Sequence, residues 1–545
     1  MKDDKFLWWK NGIVYQIYPR SFCDSNGDGI GDIPGIISKI DYLAHLGVNA
    51  VWLSPIFQSP LEDMGYDVSD YRVLDPDFGD ENDFKKLVKS LHLRGIKLIL
   101  DIPLNHTSDQ HPWFVASASS EDNPKRDWYI WHPGKGKKDK EGKRDYPNNW
   151  RGAFGGRAWT WDPTTEHYYL HSFLKEQPDL NWRNPEVKKA IFKDMTYWLE
   201  LGVDGFRLDV ANCIVKDAEL KDNSYINFSG YPRIYDLQIH ANDRNQPESH
   251  EIYKELRKLL DKYDAMAVGE ILPNEGRREP ELSASYLGGE EADELHLAFN
   301  FSTMDVSFDP KDFLKILTEW YAAVPEKGWP CHVLSNHDRS RAFTRIAGGS
   351  VEKAKVLAAL LLTQKGTPFI YYGDEIGMCD GKLSKQQIFD RVGKLYWPFY
   401  KGRDPFRTPM QWDRSKYAGF SENTPWLPVN ENSRQVNVYR QDEQQSSLLS
   451  FYRRLISLRR SEEALYNGDW QPVEAGKEIL AYYRTGEKDK FFIALSFSSG
   501  NVRLKVDESS SFEISFSTHR QRDARLSIKD VVMYPYEVLI AKKIN

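Results

Sequence analysis

The stretch Gly205-Phe206-Arg207-Leu208-Asp209 closes an apolar run (Leu199, Leu201, Val203, Phe206, Leu208) on an arginine and a carboxylate two residues apart. On a strand, residues two apart share a face, so Arg207 and Asp209 stand side by side at the strand's end. An arginine that close is expected to hold the carboxylate ionised, as a nucleophile requires. Taken alone, Arg-x-Asp more often marks a strand-end ion pair without chemistry. The surrounding chain decides between the two.

Outward from this stretch the same rhythm repeats. A helical pattern over 186–201 leads into it, as 36–46 leads into the apolar run 48–55 and 84–93, stopped by Gly95, leads into 96–101. Further on, 253–262 precedes 265–270, 313–323 precedes 331–338, and 351–362 precedes 368–375. With β-rich runs at 13–19 and 296–301 the strands number eight. Alternating strands and helices imply parallel strands with crossover helices, and eight is the closure number of the (β/α)8 TIM barrel, an α/β fold. Such a barrel carries its active site at the C-terminal ends of its strands. Those ends are polar here: Gly65-Tyr66-Asp67, Asp101 to His106, Arg207 and Asp209, Glu270, and His337-Asp338.

Two stretches break the rhythm. Residues 107–178, rich in Trp, Lys, Asp, Gly and Pro and without a clear helix, are too long for a simple loop. They read as an inserted subdomain after the third strand, with 135–143 its solvated tip. The barrel then occupies 1–106 and 179–467, with a loop-rich excursion over 378–447. From 468 to 545 short alternating runs such as Phe491-Phe492-Ile493-Ala494-Leu495-Ser496-Phe497 predict a separate antiparallel β-sandwich.

Composition narrows the function. The chain has 545 residues, too many for one ordinary domain, and a net charge of −7, which argues against nucleic acid as a partner. Aromatic residues reach 13%; most must be core, but their number also suits stacking on sugar faces. Cys23, Cys213, Cys331 and Cys379 form no Cys-x-x-Cys pair, so reduced, buried thiols are expected rather than a zinc site. No signal peptide is evident, and no uncharged run reaches the roughly 18 residues of a membrane span. A cytoplasmic protein, monomeric or a small homo-oligomer, is expected.

Asp24-Ser25-Asn26-Gly27-Asp28-Gly29-Ile30-Gly31-Asp32 alternates oxygen-bearing side chains with small residues, as a calcium loop does. An EF-hand needs Glu at its twelfth position, where Gly35 stands. A single structural Ca2+ site remains, with Asp24, Asn26, Asp28 and Asp32 as side-chain ligands and Ile30 giving its carbonyl. The plainer alternative is a solvated Asp/Gly turn.

Three carboxylates from three strand ends (Asp209, Glu270, Asp338) match the need of glycoside cleavage for a nucleophile and an acid/base. Glu270, at the end of an apolar run, is placed to have the raised pKa of an acid. Asp338 and the two histidines can bind sugar hydroxyls.

Asp101-Ile-Pro-Leu-Asn-His106, Gly205-Phe-Arg-Leu-Asp209, Gly269-Glu270 and Ser335-Asn-His-Asp338 together resemble the four ordered sequence blocks of the α-amylase family of glycoside hydrolases. The resemblance implies Asp209 as nucleophile, Glu270 as acid/base and Asp338 as transition-state stabiliser. It implies Arg207, His106 and His337 as sugar contacts, with Asp101 in support. Tyr15-Gln-Ile-Tyr-Pro-Arg-Ser-Phe22, the Asp24–Asp32 loop, Met64-Gly-Tyr-Asp-Val-Ser-Asp-Tyr71 and Arg407-Thr-Pro-Met-Gln-Trp412 are similar to the oligo-1,6-glucosidase and α-glucosidase branch. That likeness implies Tyr66 stacked on the terminal glucose, and Asp67 paired with an arginine, Arg403 or Arg407, that closes the pocket. An exo-acting α-glucosidase on small α-glucosides follows, with a transglycosylase or isomerase of trehalose synthase or sucrose isomerase type as the alternative. Val210 after the nucleophile resembles enzymes that accept 1,6 linkages. Ile271-Leu272 and Arg339-Ser-Arg-Ala-Phe343 depart from the branch pattern on the side of the leaving group.

Overall fold

A computed structural model describes residues 6–226, 233–275 and 278–544. The eight barrel strands are β1 Val14–Ile17, β2 Ala50–Leu53, β3 Lys97–Pro103, β4 Gly205–Asp209, β5 Met266–Gly269, β6 Leu297–Ala298, β7 Cys331–Val333 and β8 Thr367–Tyr371. They form one sheet in the order β6-β5-β4-β3-β2-β1-β8-β7, parallel at every pairing. No ladder joins β6 to β7; side chains bridge the gap. The Cys331 thiol donates to the Ala298 carbonyl at 3.2 Å, and the Thr303 hydroxyl donates to the Val333 carbonyl at 2.7 Å. The expected strand over 296–301 is therefore shorter. Asn300 ends it by accepting the Ser302 N–H at 3.0 Å, capping a 3-10 turn, Phe301–Met304.

Helices cover the barrel where the apolar spacing placed them, with boundaries set by caps. Asp80 opens Glu81–Leu93 with a capping box, three residues before the expected start at 84. The single helix expected over 36–46 is two, Ile33–Ser38 and Ile40–Leu46, because Lys39 leaves helical geometry (φ −109°, ψ 7°). In Pro185–Glu200 the buried residues Val187, Ile191, Met195, Trp198 and Leu199 form one stripe. Each is worth roughly 1.5–3 kcal/mol once removed from water. Ile191→Ala is the single change expected to hurt this helix most, at about 2–5 kcal/mol. At the start of β4 only glycine fits: a Cβ on Gly205 would meet the Met266 carbonyl oxygen at 2.7 Å.

The insertion is more ordered than expected. It holds a helix, Pro112–Ser119, and a three-stranded sheet in the order Trp131–His132, His167–Leu170, Trp159–Asp162. The Lys-rich tip is largely exposed, as expected. Its far end is anchored to the barrel by the buried Lys216, whose ammonium pairs with Asp179 at 2.8 Å and also donates to Asn105.

After the helix Leu448–Ser461 come β9 Asp469–Val473, β10 Ile479–Thr485, β11 Lys490–Ser496, β12 Val502–Leu504, β13 Ser511–Ser517, β14 Arg525–Ser527, β15 Val531–Met533 and β16 Val538–Lys543. Six form an antiparallel sheet, β9-β10-β11-β16-β13-β14, and β12 pairs with β15. The period-two alternation serves two cores. Ile479, Ala481 and Tyr483 join the domain's own core with Phe492, Ala494, Leu539 and Ala541. Leu480, Tyr482, Phe491, Ile493 and Ile540 belong to the core that runs on into the barrel.

Candidate active site

β4 delivers Arg207 and Asp209 to one face, as their spacing dictates. Arg207 is fully buried and ties three strand ends together. Its Nη1 lies 2.8 Å from both Asp101 Oδ1 and Asp209 Oδ1, and its Nη2 donates to Glu270. Its guanidinium also lies 5.4 Å from the Trp52 ring and 5.9 Å from the Tyr66 ring. Glu270 Oε2 accepts the Val210 N–H at 3.4 Å, so the second carboxyl touches the peptide next to the first. Val210 makes the turn in the left-handed region, at φ 38°, which a β-branched residue rarely adopts. Strain of this kind, of order 1–3 kcal/mol, persists where surrounding structure fixes it, often at functional sites.

Burial pushes the Asp209 carboxyl well above the usual carboxylate range. Arg207 works against that shift, but the neighbouring Glu270, Asp101 and Asp338 add to it. Asp101 likewise is pushed up to about 6, by burial first. Against the expectation that Arg207 would hold Asp209 ionised, burial works first in the other direction, and Asp101 and Glu270 share the same guanidinium.

Asp338 stands opposite in character. Burial raises its carboxyl, but His337, Arg403 and Arg407 more than offset this and hold it well below the usual range. Arg407 Nη2 lies 2.9 Å from Asp338 Oδ1, and its Nε donates to the His337 carbonyl at 2.8 Å. Gln16 Nε2 donates to His337 Nδ1 at 2.8 Å, so the ring proton sits on Nε2, 3.0 Å from Asp338 Oδ2. Burial lowers His337 to about 4, so the ring is neutral near pH 7. The Tyr66 hydroxyl meets the same Nε2 and lies 3.0 Å from Asp101 Oδ2, which Trp52 Nε1 also approaches at 3.1 Å.

The predicted contacts Tyr66, Arg207, His337, Arg403 and Arg407 thus join the three carboxylates in one pit. His106 adjoins the same network: its Nε2 lies 3.2 Å from the Tyr66 carbonyl oxygen and 3.1 Å from Gln177 Nε2. The arginine partnership expected of Asp67 falls to Asp63. Arg403 Nη2 sits 2.5 Å from Asp63 Oδ1 and 3.0 Å from Asp390 Oδ1, with its Nη1 3.5 Å from Asp338 Oδ1. Asp67 is fully buried, and its oxygens accept from Ser59 Oγ and from the Glu62 and Asp63 amides at 2.8–3.0 Å. Those bonds shape the turn that presents Asp63. Gly65, at φ 105°, then turns Tyr66 into the pit. Sequence reasoning missed Asp63, Gln16 and Asp390. Asp63 directly precedes the recognised motif Met64–Tyr71, so a turn analysis of 59–67 was the available signal; Asp390, in an irregular stretch, offered none.

In the Asp24–Asp32 loop the oxygens fold the turn. Asp24 accepts the Asn26, Gly27 and Gly29 amides, Asn26 accepts Asp28 N–H, and Asp28 accepts Ile30 N–H, at 2.7–3.1 Å. Asp32 caps the helix Ile33–Ser38 through Gly35 N–H at 2.6 Å and accepts from Ser25. Among the described residues no three His, Cys, Asp or Glu side chains converge as a ready-made metal site. The donors are all oxygen, however, and an ionised carboxylate has about four lone-pair positions, so the set suits a hard cation.

A pit floored by two carboxyls on one guanidinium, at the C-terminal ends of parallel barrel strands, is the arrangement of a glycosidase. Residues 16–468 match the family described as Alpha amylase, catalytic domain, and the chain belongs to that family. It is 39% identical to an oligo-1,6-glucosidase of Parageobacillus thermoglucosidasius, over 98% of this chain and 99% of that one. It is 41% identical to a probable alpha-glucosidase of Rhizobium meliloti, over 90% and 89%. Among solved structures, the alpha-glucosyl transfer enzyme XgtA superposes with a TM-score of 0.90 at 36% identity, covering 99% of this chain and all of that one. Among the described residues no helix is long and apolar enough to cross a membrane.

Proposed function

We propose that the protein is an exo-acting retaining α-glucosidase that removes terminal α-glucosyl residues, joined 1,6 or 1,4, from short oligosaccharides or sucrose. The observation that carries this is Arg207 bridging Asp209 and Glu270. Two carboxyls held by one guanidinium and one peptide are close enough to work on a single anomeric carbon, as double displacement requires. Asp209 attacks that carbon while Glu270 gives a proton to the departing oxygen. Glu270, now the base, then activates the water that releases glucose. Arg207 and the Val210 N–H hold the Glu270 carboxyl beside Asp209, where it can pass its proton to the departing oxygen. Asp338, kept ionised by two arginines and an imidazole N–H, supports the positive charge that develops on the ring. The chain of Asp63, Arg403, Asp390, Asp338 and Arg407 walls off one end of the pit. A pocket closed on that side by charge favours action at a chain end, which supports the exo reading.

A second reading is favoured by the likeness to a glucosyl transfer enzyme. The same residues would pass the glucosyl group to a sugar hydroxyl instead of water. A product assay over maltose, isomaltose, sucrose, trehalose and panose separates them: free glucose beyond that of the leaving half supports hydrolysis, and new linkages without it support transfer. No product from any of the five would sink both.

We further propose that Asp24, Asn26, Asp28, Asp32 and the Ile30 carbonyl hold a structural Ca2+, which neutralises the turn and plays no part in the chemistry.

A further inference from the structure

Beside the pit, an open cleft of about 660 Å³ runs between the inserted subdomain and the 391–395 segment. Two rings of its lining adjoin residues of the active site. Phe173 lines the cleft and packs on His106 at 5.3 Å, and Phe154 lines it beneath the Arg403 guanidinium at 4.9 Å.

The cleft's charge is unusual for a chain of net charge −7. Arg157, Lys175, Arg391 and Lys394 line it, against one carboxylate, Glu176. Arg391 is neutralised by Glu176 at 3.0 Å and by Glu62, and Lys175 lies 3.8 Å from the same Glu176. Arg157 and Lys394 have no carboxylate partner among the described residues; each lies over a ring, Tyr146 at 4.9 Å and Phe389 at 5.8 Å. Glu176, the one carboxylate of the lining, is thus already engaged by Arg391 and Lys175. Neutral sugars call for acceptors, donors and rings; they do not call for surplus cations, which attract and orient an anion.

Resting on the glucosidase reading, we infer that this cleft receives the leaving half of the substrate and that Arg157 and Lys394 select α-glucosides whose leaving half carries an anion, a phosphate or a carboxylate.

The test compares kcat/KM, at low salt and with the full chain, for maltose and for two maltose derivatives. These carry a phosphate or a carboxylate at C6 of the reducing-end glucose. The expected ratio of charged to neutral substrate is on the order of tenfold or more, the worth of one charge-assisted hydrogen bond. It should fall toward unity in Arg157→Gln/Lys394→Met, fall with added salt, and be largely kept in Lys394→Arg. Phosphate above carboxylate, or the reverse, names the anion. A ratio of one in the native protein, or one that the double variant leaves unchanged, overturns the proposal while the glucosidase reading stands. No glucose from any of the three overturns both.

Discussion

The barrel buries charge at both of its ends, in opposite ways. At the C-terminal end, Arg207 faces Asp101, Asp209 and Glu270, and every partner can titrate. At the other end, before β8, Arg459 and Arg484 are as deeply buried, yet the described bonds of both go only to carbonyls. Arg459 donates to Leu362, Gln364, Leu465 and Gly366, and Arg484 to Thr363, Leu465 and Gly468. Burial, and for Arg459 also the charge of Arg484, lowers them to about 9 and about 10, so both remain charged at neutral pH. Carbonyl dipoles fix a charge without offering a proton. One end is built to hold domains together and the other to exchange protons.

The largest expected effect is on the titratable end. Asp209→Asn should lower kcat by on the order of 10⁴–10⁶, as loss of a nucleophile does elsewhere, while raising Tm at pH 7. The sign of the second effect follows from linkage. The carboxyl is raised in the fold, so the unfolded chain ionises first, and folding loses stability as pH climbs from the ordinary carboxylate range toward the raised value. An amide removes that loss. Near-native turnover, measured by glucose release, would remove Asp209 as nucleophile; a lowered Tm would contradict the charge balance.

At the dipole-held end, Arg484→Met should cost at least about 2 kcal/mol, because three carbonyls lose a charged donor. The KM for maltose and the pH profile should stay put. A thermal melt read beside the pH–rate profile checks it, and a moved profile would show that the two ends are coupled.

These two ends also differ in how far the sequence foretold them. Gly205–Asp209, Gly269-Glu270 and Ser335–Asp338 announced the pit because strand period and motif spacing are local properties. The partition of charge inside it was not local. Whether Arg207 outweighs three carboxylates depends on β3 and β5 arriving beside β4, and the replacement of Asp67 by Asp63 depends on which oxygens the 59–67 turn consumes. The Arg459 and Arg484 pair was invisible for the same reason, since its acceptors are backbone groups that any residue carries. The C-terminal sheet was legible from alternation alone, although its two cores, one shared with the barrel, were not.

A smaller effect concerns the charge around Asp209. Asp101→Asn removes one negative neighbour of Asp209, so Asp209 should ionise more readily. The acidic limb of kcat/KM, which reports the free enzyme, should move down by on the order of one pH unit. A limb that stays or rises would mean that Asp101 supports the site only through its bonds to Trp52 and Tyr66.

The smallest expected effect lies at the Asp24–Asp32 loop, outside both ends. Added Ca2+ stabilises only as far as it favours the folded chain, by RT ln(1 + [Ca2+]/Kd). A gain of 1 kcal/mol moves Tm by on the order of 2 °C in a large domain. A chelator should therefore lower Tm by a few degrees and leave low-temperature turnover unchanged, because Asp32 still caps Ile33–Ser38 through Gly35 N–H. Asp28→Asn should abolish the calcium-dependent part of Tm, since it removes one charge while an amide oxygen can still accept Ile30 N–H. If melting is indifferent to both calcium and chelator, the hydrogen bonds already present are the whole of the loop's design, and its oxygens serve the turn alone.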